Sequence, residues 1–218
     1  MASVLEREQQ LLDRPLGWNP RGLLAAAALV ALLANFLPIW NLTMFAPQYP
    51  DGLRLDIYTF KLQGGNRGQD VKEINLLNHY IGMKDLAEED FTQFRWLPFA
   101  LGVLALLFLR AAVHGRVAQL LDVAVLFTYF GLFSLWSFGY TLYRYGHDLS
   151  PHAAVKVAPF MPPMFGHAKL ANFDVYSFPQ LGTYAMLLVV LLLTAAMVLA
   201  VRRRRSARVG VPAIEPAR

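Results

Sequence analysis

The chain has 218 residues, of which 56% belong to the apolar set and only 16% are charged. A soluble domain carries about 25% charged residues, so this composition indicates a protein that folds in a membrane and argues against an ordinary soluble domain. The sequence has no cysteine, which excludes disulfides, thiolate metal sites, iron–sulfur clusters and a thiol nucleophile.

Residues 1–21 predict a polar cytoplasmic leader ahead of the first apolar run. Its acidic residues, Glu6, Glu8 and Asp13, do not suit the positively charged start of a secretory signal peptide. We therefore expect the first apolar run to be retained as a transmembrane span over residues 22–42.

Three further apolar runs predict three more transmembrane helices. They cover residues 94–110, 120–143 and 181–201, with an inner turn at 111–119 between the second and third spans of the chain. The last run is the clearest, because it carries no charge over its whole length. At about 1.5 Å per residue, such a helix crosses a hydrocarbon core of roughly 30 Å.

The basic residues predict the orientation of these spans. Lysine and arginine collect in the leader, in the inner turn and in a tail over 202–218 that opens with four consecutive arginines. The positive-inside rule places these segments, and therefore both termini, in the cytoplasm. We expect a multi-pass protein of a bacterial inner membrane.

Two longer segments, residues 43–93 and 144–180, then lie on the outer face and are expected to carry structure. In the first, Leu53–Leu62 is β-branched and aromatic and predicts a strand. A helical recurrence of apolar residues predicts a short amphipathic helix over 71–80, preceded by what resembles a capping box at Asp70 and Glu73.

In the second outer segment, residues 154–160 could pair with the strand at Leu53–Leu62. The predicted fold class is an all-α membrane protein with four transmembrane helices and a small mixed α/β cap on the outer face.

The third span is unusually aromatic, with eight aromatic residues in 24 positions, too many to point into one four-helix core. We predict that it packs against partner helices, with a bound lipid or pigment as a further possibility. The predicted packing residues are Phe127, Phe130, Phe133, Trp136 and Tyr140. Asp122 in the same span is interpreted as a partner of Arg110 or Arg116, or as snorkelling to the headgroups, in preference to a proton relay.

Histidine and methionine concentrate in the outer segments, and thioether and imidazole donors together suit copper, especially Cu(I). The candidate ligands are His147, His152, Met161, Met164 and His167. The alternative interpretation is that these methionines fill irregular gaps in a proline-rich loop and that the histidines lie at an interface. Both interpretations stay open at this point.

Four segments carry a family resemblance: APQYPDGL at Ala46–Leu53, LNHYIGM at Leu77–Met83, GHDLSPHAAVKV at Gly146–Val157 and LANF at Leu170–Phe173. With them the chain resembles a family of uncharacterised bacterial four-helix integral membrane proteins, loosely associated with copper and nitrous-oxide respiration neighbourhoods. The resemblance implies that the outer cap is the working face. It implies no activity and transfers no catalytic residue.

The sequence predicts a non-enzymatic accessory subunit of a larger energy-transducing membrane complex, respiratory or photosynthetic. Such a subunit needs no cofactor, contacts other integral membrane subunits and a periplasmic partner, and binds no nucleic acid. No G-x-S-x-G, H-E-x-x-H or P-loop motif is present, which argues against a hydrolase. The alternative function is copper handling or metal delivery at the outer face. A small transporter fits less well, because the sequence shows no internal repeat.

Overall fold

The computed structural model describes residues 4–170 and 173–209, and within them the chain forms six α-helices and a five-stranded sheet. The helices are α1 (Val4–Leu12), α2 (Trp18–Ala34), α3 (Gln69–Ile81), α4 (Gln93–His114), α5 (Val117–His147) and α6 (Leu181–Val209). Of these described helices, α4, α5 and α6 are long and apolar enough to cross a membrane, as is typical of a membrane protein.

The first predicted span differs from the structure. The prediction was a helix over 22–42, whereas α2 covers Trp18–Ala34 and has 17 residues, the short end of the range for a span. Pro38 has no backbone N–H and disfavours helix at the residue before it, so the chain cannot continue as helix. Trp40 already lies in a strand, where the backbone of 40–42 pairs with two neighbours.

The other predicted spans are present as longer helices. α4 and α5 extend beyond 94–110 and 120–143, and the predicted inner turn at 111–119 shortens to Gly115 and Arg116. Gly115 has a positive φ of 66°, the left-handed conformation that ends a helix. α6 begins at Leu181, where its span was predicted to begin, and its backbone continues to Val209.

The strands form one antiparallel sheet in the order β3-β2-β1-β5-β4. They are β1 (Trp40–Ala46), β2 (Tyr49–Ile57), β3 (Leu62–Gly64), β4 (Gly166–Leu170) and β5 (Phe173–Pro179). The predicted pairing of residues 154–160 with Leu53–Leu62 is wrong. Both edges of β2 are occupied by β1 and β3, and residues 154–160 form no strand.

The predicted amphipathic helix is present as α3, which lies against β2 and buries Ile74 completely. Asp70 does not form the predicted cap, because α3 begins at Gln69 after Gly68. The Asp70 side chain is instead buried, and its carboxylate accepts hydrogen bonds from the Arg54 backbone N–H and the Asn66 amide, both at 2.8 Å. These bonds tie the start of α3 to the sheet.

The helices assemble around α2, whose alanines allow α4 and α6 to approach closely. The buried members are Ala27, Ala28, Ala31 and Ala34. At the end away from the sheet, Arg21 donates hydrogen bonds to the carbonyls of Ala112 (2.6 Å) and Val113 (2.5 Å). A cation at the C-terminal end of α4 satisfies carbonyls that have no helical partner there.

Candidate functional site

The described part of the chain has two packed cores with a cavity between them. One core lies inside the helical bundle, toward the end away from the sheet, and includes Leu24, Phe108 and Val189. The other lies between the sheet and α3 and includes Leu55 and Ile74. A cavity of about 500 Å³ lies between these cores. This volume is within the range of small-molecule sites.

The cavity wall is almost entirely apolar. Its aromatic members include Trp40 of β1, Trp96 of α4 and Phe138 of α5. Apolar cavities hold water poorly. This lining therefore favours an apolar occupant.

One cluster of polar groups projects into this apolar space. The Gln93 amide nitrogen at the start of α4 donates hydrogen bonds to the Ser137 hydroxyl (2.9 Å) and the Thr141 hydroxyl (2.8 Å) on α5. No described donor reaches the Gln93 side-chain carbonyl. This oxygen is therefore available to accept a hydrogen bond from a molecule in the cavity.

The cavity is open on one side, between α5 and α6. Among the described wall residues, the exposed members belong to these two helices: Thr128, Leu132 and Leu135 on α5, and Leu187 and Val190 on α6. Every other wall residue is buried or half-buried. The opening thus lies on the side of the bundle and has an apolar rim.

Two segments that the sequence singled out dock onto each other beside the cavity. LNHYIGM ends α3 and contributes to the cavity wall, and GHDLSPHAAVKV begins with the last two residues of α5. The Ser150 N–H donates to the Gly82 carbonyl at 2.8 Å, and the Val155 N–H donates to the Tyr80 carbonyl at 3.0 Å. These bonds hold the start of 154–160 against α3, and this segment forms no strand.

An ion pair supports the same contact. The Lys84 ammonium lies 3.0 Å from the Asp148 carboxylate, and its hydrogen bond and charge lower the pKa of Asp148. A carboxyl with a lowered pKa contributes to the stability of the fold at neutral pH, and this contribution is lost as the pH falls through that pKa. Both side chains are more than half exposed, so the backbone bonds contribute more to docking than the ion pair does.

Gly146 marks the tightest approach in this region. The Phe160 N–H donates to the Gly146 carbonyl at 3.0 Å, which folds the chain back over the end of α5. A Cβ atom at Gly146 would lie 1.9 Å from the Phe160 carbonyl oxygen. Phe160 and Pro162 are part of the cavity wall, so this glycine positions that wall.

The opposite face of α5 carries a continuous exposed row that we call the α5 stripe. Its members follow one another at alternating spacings of four and three residues: Asp122, Leu126, Tyr129, Phe133, Trp136, Tyr140, Tyr143 and His147. All eight are exposed. Phe133 and Trp136 lie 5.6 Å apart between ring centroids, and Tyr140 stacks on Trp136 at the same distance.

The predicted packing residues therefore divide between two faces of α5. Phe133, Trp136 and Tyr140 lie on the α5 stripe, whereas Phe127 is 5% exposed in the bundle core and Phe130 is half-buried against Trp96. Residues of the α5 stripe recur on average every 3.5 positions. Aromatic residues occur on both faces of α5, so this recurrence was not recognised in the sequence.

The structure places the five candidate copper ligands on α5, on β4 and in the segment that connects them. His147 ends α5 and stacks on Tyr143 at 3.9 Å, and His167 on β4 bonds the Asp174 carboxylate at 2.9 Å. His152 and Met161 are exposed in the connecting segment, and the Met164 carbonyl accepts from Ser177. Among the described residues, no hydrogen bond or ring contact joins any two of the five.

Asp122 lies on the α5 stripe, and no described side chain pairs with it. Arg116, one of its predicted partners, lies 3.7 Å from Asp13. Arg110 is exposed near the end of α4, with its backbone carbonyl bonded by His114. The predicted pairing with either arginine is therefore not formed in the structure.

Sequence reasoning missed most of the α5 residues that face the cavity. With Phe127, they recur at the same four-and-three spacing as the stripe and combine aromatic with small or hydroxyl side chains: Gly131, Ser134, Phe138, Thr141 and Tyr145. The small and hydroxyl residues within an aromatic helix were the available signal. Gln93 gave none, because its partners lie more than forty positions away.

Searches of family models, curated proteins and solved structures found no match to this chain.

Proposed function

We propose that this chain is a four-span accessory subunit of a larger membrane complex, and that it binds its partner through the α5 stripe. The observation that carries the proposal is the stripe itself, an exposed row of mostly aromatic side chains along the whole of α5. A helix that faces only lipid does not need apolar residues at a regular spacing along one face. Two helices that supercoil around each other require apolar residues every 3.5 positions on average.

The tyrosines of the stripe support a protein partner over lipid. Tyr129, near the middle of α5, is 68% exposed, and no described group bonds its hydroxyl. In hydrocarbon an unpaired hydroxyl is costly, whereas a partner helix can supply an acceptor. Tyrosine and tryptophan are also the side chains that contribute most to binding at protein interfaces.

Asp122 supports a different subunit over a second copy of this chain. Two copies in one membrane share the same orientation, so pairing along α5 would place two Asp122 carboxylates at the same depth. Like charges at that position would oppose association. A partner helix with a basic or donor side chain at that level would pair with the carboxylate.

The membrane setting has its own test, because the chain has no cysteine to remove. Lys72→Cys and Lys156→Cys, at exposed positions, should react with an impermeant maleimide in intact cells. His114→Cys, at the opposite end of the bundle, should react only after permeabilisation. Labelling of both lysine positions from the cytosol alone would overturn the orientation and the four spans together.

Photo-crosslinking followed by purification of the crosslinked product tests the accessory role. A photo-crosslinking residue at Tyr129, on the α5 stripe, should join the chain to one defined membrane subunit, which mass spectrometry identifies. The same residue at Leu106 of α4, also 68% exposed, is the matched control and should give only diffuse products. The expectation of a respiratory or photosynthetic complex is correct if the captured subunit belongs to one. Equal crosslinking at both positions would contradict the proposal.

Copper handling through His147, His152, Met161, Met164 and His167 stays a prediction. Metal analysis of the purified chain tests it, because stoichiometric copper that is lost with Met164→Leu and His167→Ala would support that function.

A further inference from the structure

We propose that the cavity between the two cores binds one uncharged long-chain lipid, which enters from the bilayer between α5 and α6. The site lies on the face of α5 opposite to the α5 stripe. The proposal therefore shares with the proposed function only the membrane setting, and either can fail without the other.

The position of the opening indicates the route of entry. The exposed rim is apolar apart from Thr128, and Leu132, Leu135, Leu187 and Val190 make up the rest. The α5 members lie near the middle of that helix and the α6 members within its first ten residues, and both helices are long and apolar enough to span a membrane. An opening at that level faces acyl chains, so a molecule dissolved in the bilayer reaches the cavity without crossing water.

The wall indicates the shape and polarity of the ligand. Its described residues are overwhelmingly apolar and extend from α6 and α5 to the inner face of the sheet. A single flexible chain, acyl or isoprenoid, matches a long apolar cavity of about 500 Å³.

The lack of charged residues in the described wall indicates that the head group of the ligand is uncharged. None of the described wall residues is Asp, Glu, Lys or Arg, so a buried phosphate or carboxylate would have no partner there. The Thr141 hydroxyl accepts from Gln93 and donates to the Ser137 backbone carbonyl at 2.9 Å, so the Gln93 side-chain carbonyl is left as an acceptor at the start of α4. A neutral head that carries a hydroxyl group can donate to this oxygen, whereas a charged phosphate brings only acceptors.

Gly131 provides a direct test, because it lines the cavity and a Cβ at this position meets no atom within 4 Å. Gly131→Phe should therefore place a ring in the ligand space without disturbing the helix contacts. Gly131→Ala is the size control. Gly102→Phe on α4 is the site control, since Gly102 has the same open surroundings and is not among the wall residues.

Each protein is purified in detergent, washed and extracted with organic solvent, and the lipids are quantified per chain by mass spectrometry. We expect about one neutral long-chain lipid per chain in wild type, Gly131→Ala and Gly102→Phe, and at least a tenfold loss in Gly131→Phe. The identity of the retained molecule distinguishes an isoprenoid from an acyl lipid.

Two results would overturn the proposal: equal neutral lipid in all four proteins, or phospholipid as the species that Gly131→Phe displaces. If Gly131→Phe does not yield a monodisperse protein, Ser134→Leu on the same face of α5 replaces it, and the same two outcomes decide.

Discussion

Replacing Trp136 and Tyr140 together by leucine is expected to release the chain from its partner subunit. The two rings stack on each other at the centre of the α5 stripe, and both are more than half exposed within the chain. Central aromatic residues of an interface cost about 2 kcal/mol or more when they are removed. Leucine keeps part of the apolar contact, so we expect a loss of about 2 kcal/mol for the pair, which weakens association about 30-fold. Leucine keeps the helix apolar and preserves insertion.

The measurement is the fraction of the partner recovered when the tagged chain is purified in mild detergent. Trp18→Leu and Tyr184→Leu form the matched control, because they remove one tryptophan and one tyrosine that are exposed on α2 and α6, away from the stripe. The control should retain the partner. The accessory role through α5 is wrong if both double variants lose the partner equally, or if neither does.

Replacing Gly146 by alanine is expected to have the largest effect on stability of any single methyl group added to α5. The new Cβ would lie 1.9 Å from the Phe160 backbone oxygen and 2.9 Å from the Pro162 ring. Backbone atoms cannot turn aside as a flexible side chain can, so the segment over the end of α5 must detach. It then loses the bond between the Phe160 N–H and the Gly146 carbonyl.

Overpacking of this kind costs about 1–3 kcal/mol, and the lost hydrogen bond adds about 1 kcal/mol. At about 2–4 °C per kcal/mol for a chain of this size, the melting midpoint should fall by roughly 5–15 °C. Limited proteolysis should also become faster between Asp148 and Phe165.

Gly139→Ala is the control on the same helix, because its Cβ would meet only the Met164 sulfur at an ordinary 3.6 Å. It should melt close to wild type or slightly above, since alanine favours helix over glycine. If Gly146→Ala has the same melting midpoint as Gly139→Ala, the segment from Phe160 to Pro162 is not packed against the end of α5 as it is in the structure.

Local chemistry was sufficient for the parts of this protein whose neighbours are near in sequence. The uncharged run at 181–201 predicts α6, because any apolar helix of that length satisfies its own backbone hydrogen bonds in lipid. The spacing of Val71, Ile74 and Leu77 predicts α3, because a helix with one apolar face must bury that face.

Only the tertiary structure decided what the first apolar run becomes after α2, because Pro38 disfavours helix but does not by itself specify a strand. Five of the eight residues at 35–42 are apolar and none is charged, so composition alone extended the span. The backbone of 40–42 becomes a strand because two distant segments, β2 and β5, supply its hydrogen-bond partners on either side. A strand depends on such partners, and they lie up to about 140 positions away.

The same distinction applies to the two faces of α5. The sequence determined that the third span carries more aromatic residues than one bundle can bury, and it left open which of them face inward. Packing against Trp96 and Phe108 turns Phe130 and Phe127 inward and leaves the α5 stripe exposed. The cavity is bounded by α4, α5, α6 and the sheet together, so it depends on long-range contacts that no single segment contains.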